Sequence, residues 1–465
     1  MAAPLVELFA TAFCYKYYRS KSTDIPVENC AIPEVQKLAS EAQGLFMFLI
    51  YAASLLTASH YGRLSDRKGR RLVFMISVTG GCLTMLSYIL TFSFPEFFGT
   101  WLLFIVPAIY GLCGGDSLMS ATVQAYIADC TSHDTRSAMF SRLIAGCSIS
   151  SALGASLSSY IISSTGSIEY VLWMAFAICL AFLLYVIFAM PESRVFENPK
   201  QPIQQTSLMD RLNIFSSLRI FLSNTNKDVY PYALLFSAID DFLYVFTAFP
   251  PVLLYVMYKF GWTAYEGGIF SGLTNFVRFI TTSLIVPYLS QQFHAMYASR
   301  DDRNAVVAPD LFKTVPAVNS DTIEITDDEN EAITKRSLMF DVYTIRASFV
   351  FESLSFFIFA TTNSGAGIMV AGFIRGLSSM GVAGSCSFMS KLVDSSQIGE
   401  LTSALSIIES IASMMSQLLL TFIYGASVAT MPELVFYVCA AITCLAFVFA
   451  MFIRFTKDGQ DEQEA

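Results

Sequence analysis

A helix that crosses a bilayer core roughly 30 Å thick needs about 20 consecutive, mostly apolar residues. This chain holds one such run after another, parted by polar links. Twelve can be drawn, near 2–18, 41–60, 72–93, 99–127, 138–163, 170–189, 229–257, 266–288, 341–361, 365–388, 400–423 and 432–454. Only 14% of the 465 residues are charged, against about 25% in a soluble domain, and the mean hydropathy is +0.55. Backbone inside lipid must satisfy its own hydrogen bonds, so runs of this kind become helices. The expected fold class is all-α: a polytopic membrane protein with twelve transmembrane helices. The first run is short for a span and begins at the initiator Met, so a less tilted helix or a misassigned start codon is expected there.

Lys and Arg counts set the orientation. With the N-terminus inside, cytoplasmic links and helix ends hold 21 of the 28, outer links hold five (Lys16, Arg19, Lys21, Lys37, Lys259), and helix interiors hold Arg278 and Arg375. Both termini are therefore expected in the cytoplasm. The net charge of -9 mixes embedded, cytosolic and external charge and identifies no partner. The expected partners are a small-molecule solute, protons and the lipid bilayer. No cofactor, metal or nucleic acid is expected, and the protein is expected to be a monomer in the plasma, vacuolar or lysosomal membrane. No basic region precedes the first apolar run, so a cleaved signal peptide is not expected. Most cysteines (Cys82, Cys113, Cys147, Cys179, Cys439, Cys444) lie in apolar runs, where they act as small hydrophobes. Cys30 has only Cys14 as a near candidate partner, and a disulfide there is not expected.

Two polar links exceed the rest. Residues 191–228 divide the runs six and six; they contain LMDRLNIFSSLRIFL (208–222), whose helical apolar spacing suggests an interfacial helix. Residues 289–340 contain NSDTIEITDDENEA (319–332), acidic and without aromatics, which is expected to be a disordered, solvated linker. The chain is thus divided into a six-helix bundle (1–190), a linker, a second six-helix bundle (229–457) and a tail (458–465). Such a division suggests a parallel repeat with the solute site between the halves, near mid-depth.

Between runs 2 and 3 the chain reads HYGRLSDRKGRRL (60–72). A positive-inside anchor would explain its five cations (Arg63, Arg67, Lys68, Arg70, Arg71) but not Asp66 and two glycines in register. The stretch resembles the signature of the major facilitator superfamily, G-x-x-x-D-R/K-x-G-R/K-R/K, met here by Gly62, Asp66, Arg67, Gly69, Arg70 and Arg71. The resemblance implies two six-helix bundles that move a solute by alternating access, with this loop as an inner gate. Gly62 is expected to let the second helix end tight against the other half. Gly69 is expected to take a positive φ, and Asp66 to pair with the loop cations at a helix N-terminus. YIADCTSHDTR (126–136) closes run 4, where the superfamily places an acid against the basic arm. That position is Asp129, which implies a relay of Asp66, Arg70 and Asp129 with Arg136 nearby. MPESR (190–194) closes run 6 as the superfamily often does. The link between runs 8 and 9 lacks the basic signature, so a lopsided gate is expected.

Within the superfamily, VELF (6–9), AYIADCT (125–131) and SKLVDSSQIGELTSAL (390–405) are similar to the proton-coupled folate transporter group and related eukaryotic tetracycline-resistance-like carriers. Ile144 and Cys386 stand where folate carriers have a proton-coupling glutamate and a substrate-linked basic residue, which argues against folate. Drug–proton antiporters carry G-x-x-x-G-P-x-x-G-G in helix 5; here AGCSISSALGASLSS (145–159) has small residues but no Pro.

A charge at the bilayer centre costs at least about 2.5 kcal/mol, so embedded charges are functional candidates. They are Asp116, Asp240, Asp241, Arg278, Glu352, Arg375 and Glu409. The resemblance places runs 7, 8, 10 and 11 around a cavity, so all but Asp116 and Glu352 are expected to face it from those runs, with Glu352 pairing as support. In one reading Arg278 or Arg375 receives an anionic group, helped by Asn275 and Gln124, because guanidinium stays charged and matches carboxylates bidentately. Asp240, Asp241, Glu409 or Asp116 would carry the proton. In the other reading the charges are static pairs, Asp241 with Arg278 and Arg375 with Glu409. Pro250–Pro251 is expected to bend run 7, and His60, His133 and His294 to lie at the surface. No nucleophile–base set or phosphate-cradling loop is visible, so an enzyme is not expected. Proton-coupled symport of an organic anion is the expected function, with drug–proton antiport and a non-transporting sensor on the same scaffold as alternatives.

Overall fold

The computed structural model describes residues 2–18, 32–94, 97, 99–130, 133–193, 220–221, 232–301, 327–393 and 398–453. The helices are α1 (Ala2–Tyr18), α2 (Pro33–Lys68), α3 (Arg70–Ser93), α4 (Leu102–Leu112), α5 (Gly115–Cys130), α6 (His133–Thr165), α7 (Glu169–Phe188), α8 (Ala233–Thr247), α9 (Val252–Phe260), α10 (Ala264–Ile280), a π segment (Thr281–Ile285), α11 (Val286–Asp301), α12 (Asp327–Thr361), α13 (Gly365–Ser378), α14 (Met380–Lys391), α15 (Ile398–Ser427) and α16 (Leu434–Phe452). There is no strand among the described residues. Among the described residues eleven spans are long and apolar enough to cross a membrane, with α4–α5, α8–α9, α10–α11 and α13–α14 each counted as one. The twelfth, α1, has 17 residues and is short.

The breaks inside spans have local causes. Gly114 and Gly115 take φ values of 101° and 57° between α4 and α5. Pro250 and Pro251 part α8 from α9, since a proline has no N–H to give the carbonyl one turn back. Helix ends also depart from the hydropathy pattern. α11 runs on to Asp301 and α12 begins at Asp327, so residues 327–332 of the acidic stretch are helical, not a disordered linker. Asp327, Asp328 and Glu329 fall in the first turn, where negative charge is favoured. Residues 302–326 lie outside the described residues. So does the expected interfacial helix except Ile220 and Phe221, which form a short 3₁₀ turn buried with Ala233, Leu234 and Leu338. Cys14 is disulfide-bonded, contrary to expectation. It lies near the outer end of α1, and disulfides persist on the oxidising side of a membrane. Cys30 lies outside the described residues.

"Inner" below means the side that the Lys and Arg count assigns to the cytoplasm. The first six spans meet the last six along two seams, α6 against α10 and α2 against α15. Small residues let these backbones approach: a Cβ on Gly268 would strike Ser159, and one on Gly44 would strike Thr421. Ser40 Oγ donates to Thr421 O (2.7 Å), Ser159 Oγ to Tyr265 O (2.9 Å), and the Ala264 amide to Glu7 Oε2 (2.8 Å). These bonds lie toward the outer side. At the inner end Gly62 is exposed, and a Cβ added there would meet nothing within 4 Å. The expectation that Gly62 packs tightly against the other half is therefore not met, because the halves close on their outer side.

Candidate functional site

The inner loop is built on Gly69, which turns the chain between α2 and α3 with φ 98°. The first amides of a helix have no intrahelical acceptor. Those of α3 are met by Glu192, beyond the end of α7, which accepts from Arg70 N (2.8 Å) and Arg71 N (3.2 Å). The Arg70 guanidinium donates to Asp129 Oδ2 and to Ser65 Oγ, both at 2.9 Å, and Ser193 Oγ reaches the same carboxylate oxygen at 3.3 Å. Arg71 donates to Val186 O (2.9 Å) and to Ile187 O at the C-terminus of α7, an end that attracts cations. Loop, span 4 and span 6 are thereby tied into one inner cluster. The side chains of Asp66, Arg67 and Arg136 lie outside the described residues, and with them the Asp66 limb of the relay. Sequence reasoning missed Glu192, whose only signal is its place in MPESR.

The second half carries inner ties of its own, although its link between runs 8 and 9 lacks the basic signature. Lys391 Nζ meets Asp341 Oδ2 at 2.6 Å, with Ser387 Oγ donating to the same oxygen at 2.9 Å. Arg346 on α12 donates to Ala450 O (3.2 Å) and Ile453 O (2.9 Å) at the end of α16, as Arg71 does to α7. The acid here is on span 9 and the base on span 10, the reverse of spans 3 and 4. Lys391 Nζ also donates to Ser337 Oγ (2.6 Å), at the end of the link between runs 8 and 9.

Arg375 is engaged by partners within the second bundle. Its Nε lies 3.2 Å from Glu352 Oε1, and its Nη2 donates to Ala248 O (2.5 Å) and Thr247 O (3.3 Å). Thr247 O is the carbonyl that Pro251 cannot serve. Ser378 donates to the other Glu352 oxygen, and the guanidinium lies 5.3 Å from the Phe356 ring centroid. The arginine thus splints the kink of span 7 to spans 9 and 10. Glu352 has the supporting role expected of it, and the Arg375–Glu409 pair is not formed.

The other embedded charges are unmatched. Asp240 is 1% exposed and neither carboxylate oxygen has a hydrogen-bond partner. Asp241 Oδ2 and Arg278 Nε are likewise unpartnered, and the Asp241–Arg278 pair is not formed. Glu409 is exposed on α15 and acts electrostatically on Asp241; both act on the exposed thiol of Cys386. Three groups from spans 7, 10 and 11 therefore lie within electrostatic reach of one another. A cationic methanethiosulfonate should label Cys386 several-fold faster than an anionic one, since the carboxylates attract it. It should also block transport in the native protein and spare Cys386→Ser. Equal inhibition of Cys386→Ser would place the thiol off the path.

Two residues separate Arg278 from the π segment, a helix defect often found at functional sites and one with no sequence signal. Asn275 Nδ2 donates to Ser271 O (2.9 Å). Asn275 and Ser271 line a cavity of about 450 Å³ together with Ser150, Ser151 and Ser158 of α6. Gln124 is turned along its own helix toward Ser120 Oγ (3.4 Å). Asp116 occupies the first turn of α5, accepts from Tyr110 OH (2.6 Å) and acts on Tyr51 and Tyr88, so it belongs to a tyrosine cluster of spans 2 to 4. Among the described residues no group of His, Cys, Asp and Glu could hold a metal ion.

On the outer side Glu7 links α1 to the first residue of α10, whose own Thr263–Glu266 capping box closes the same turn. Glu7→Ala should loosen this seam. The expected result is several-fold faster labelling of a cysteine at buried Ser159 by an impermeant maleimide; an unchanged rate would deny Glu7 a role in outer closure.

The sequence profile of the Major Facilitator Superfamily matches residues 23–299. An uncharacterized membrane protein of Schizosaccharomyces pombe, C14C4.07, is 24% identical over 97% of this chain and 76% of its own length. The MFS efflux pump atnC of Emericella nidulans is 27% identical over 60% of this chain and 56% of its own. Among solved structures, the human organic anion transporter MFSD10 (TETRAN) superposes with a TM-score of 0.57 at 16% identity, covering 96% of this chain and 88% of that one. The E. coli xylose transporter XylE, in a partially occluded inward-open conformation, gives a TM-score of 0.55 at 14% identity and covers 98% of each chain. With the profile spanning more than half of the sequence and this helical arrangement around it, the chain belongs to the major facilitator superfamily of secondary transporters.

Proposed function

We propose that this protein is a symporter that moves an organic anion together with protons. The observation that carries the reading is the set of unmatched charges at mid-depth: Arg278 with no acidic partner, and Asp240, Asp241 and Glu409 with no basic one. An unpaired charge held in the membrane is costly. A solute carboxylate would neutralise the Arg278 guanidinium, and protons would neutralise the carboxylates. Both ligands then favour passage through a closed intermediate, because only differential affinity shifts such an equilibrium. Arg375 takes no part, since Glu352 and two carbonyls already occupy it. The bundles 1–190 and 229–457 would rock about this site, joined by residues 191–228, with both termini in the cytoplasm. The likeness to MFSD10, an organic anion transporter, is in keeping with the anion reading.

A second reading, cation–proton antiport, is favoured by the excess of embedded carboxylates, Asp116 included, over Arg278 among the described residues. The relative described as an efflux pump points the same way. Uptake of a mixed panel into proteoliposomes, with and without an imposed pH difference, separates the two. The symport reading expects anions to accumulate when the outside is acidic and to stop doing so in Arg278→Gln. Gradient-driven expulsion of cations, indifferent to Arg278→Gln, would favour antiport.

A further inference from the structure

Among the described residues the cavity between α6 and α10 is lined by Ala, Ser, Gly and Asn: Ala3, Ser150, Ser151, Gly154, Ala155, Ser158, Gly268, Ser271 and Asn275. None of these carries a ring or a long apolar chain for a flat aromatic solute to stack on. Of its hydroxyls, Ser158 is spent within its own helix and three others are not. On α6 the side chains of Ser148, Ser158, Ser163 and Ser164 bond back to carbonyls of their own helix, the ordinary fate of a membrane serine. The Ser150, Ser151 and Ser271 hydroxyls make no such bond, and Asn275 spends one N–H on Ser271 O, leaving its carbonyl oxygen open. Arg278 follows Ser271 by seven residues. At 3.6 residues per turn that spacing places the two within about 20° of each other around α10. Arg278 stands beyond the lining residues, on the same side of α10 and about 10 Å along its axis from Ser271. At about 450 Å³ the cavity lies in the range of metabolite pockets, roughly 300–1,000 Å³.

Resting on the anion reading above, we infer that the solute is a polyhydroxylated carboxylate of sugar-acid type: its carboxylate goes to Arg278 and its hydroxyls to Ser150, Ser151, Ser271 and Asn275. A site that hydrogen-bonds solute hydroxyls rejects the analogue lacking them, because its own polar groups are then left unpaired.

Binding to the purified full-length protein, followed by thermal shift, tests this with three probes. D-gluconate carries charge and hydroxyls, hexanoate has the same chain length and charge without hydroxyls, and sorbitol has hydroxyls without charge. Gluconate is expected to bind at least about tenfold more tightly than either of the others. Ser150→Ala/Ser271→Ala should weaken gluconate about fivefold to tenfold and leave hexanoate unchanged, which also shows the variant is folded. Arg278→Gln should weaken both anions. Hexanoate equal to gluconate, with both lost in Arg278→Gln, overturns the hydroxylated class and leaves the anion reading standing. Sorbitol equal to gluconate, with Arg278→Gln without effect, overturns the anion reading and this inference with it. Binding of none of the three overturns the inference.

Discussion

Arg375→Ala should unfold more easily than the native protein by about 3–5 kcal/mol, the usual cost of removing one partner from a buried pair. The side chains of Arg375 and Glu352 are 11% and 3% exposed, so solvent screens the pair little. The substitution would strand the Glu352 carboxylate, and would leave Thr247 O, which Pro251 cannot serve, and Ala248 O without their arginine donor. Replacing both charges with apolar residues of similar size (Glu352→Leu with Arg375→Met) should recover part of the loss. The two carbonyls would stay unsatisfied, at about 1–3 kcal/mol for each buried polar group left unpaired. Thermal unfolding in detergent checks the order: native, double variant, single variant. A single variant as stable as the native protein would mean that Arg375 is not the splint described here.

The second large effect concerns coupling. Asp241→Asn with Glu409→Gln should reduce accumulation driven by a pH difference by tenfold or more, yet preserve exchange of solute across a membrane with no gradient. Both side chains remain polar and nearly isosteric, so the cavity keeps its shape; only the capacity to bind and release a proton is removed. Asp240, buried and unpartnered beside Asp241, is the control: if Asp240→Asn alone abolishes coupling, the proton resides there. Loss of exchange together with accumulation would assign the pair to solute binding instead.

Much of the fold was legible because hydropathy and the bilayer's thickness leave few choices. Gly69, Arg70 and Asp129 were legible because a charged loop punctuated by glycines stands out sharply between two apolar runs. What escaped has physical causes as well. Hydropathy reports contact with lipid, not helicity, so α11 and α12 extended unseen into polar sequence. Arg375 looked like a free cation because its partners include backbone carbonyls at the proline kink of another span, and a carbonyl carries no letter in the sequence. Glu192 caps a helix far along the chain, Lys391 and Asp341 invert the expected order of charges, and the π segment after Arg278 has no residue pattern of its own. The unpaired state of Arg278, Asp240 and Asp241 depends on what does not approach them, which only the packed structure shows.

Paired spin labels give the most direct test of the central claim, that protons on the mid-depth carboxylates swing the two bundles. One pair belongs at the outer ends, at exposed Lys37 and Thr430, and one at the inner ends, at exposed Lys68 and Gln291. On acidification in lipid the outer distance should lengthen and the inner one shorten, and Asp240→Asn/Asp241→Asn/Glu409→Gln should abolish both responses. Distances that ignore pH, or that move equally in the triple variant, would contradict it.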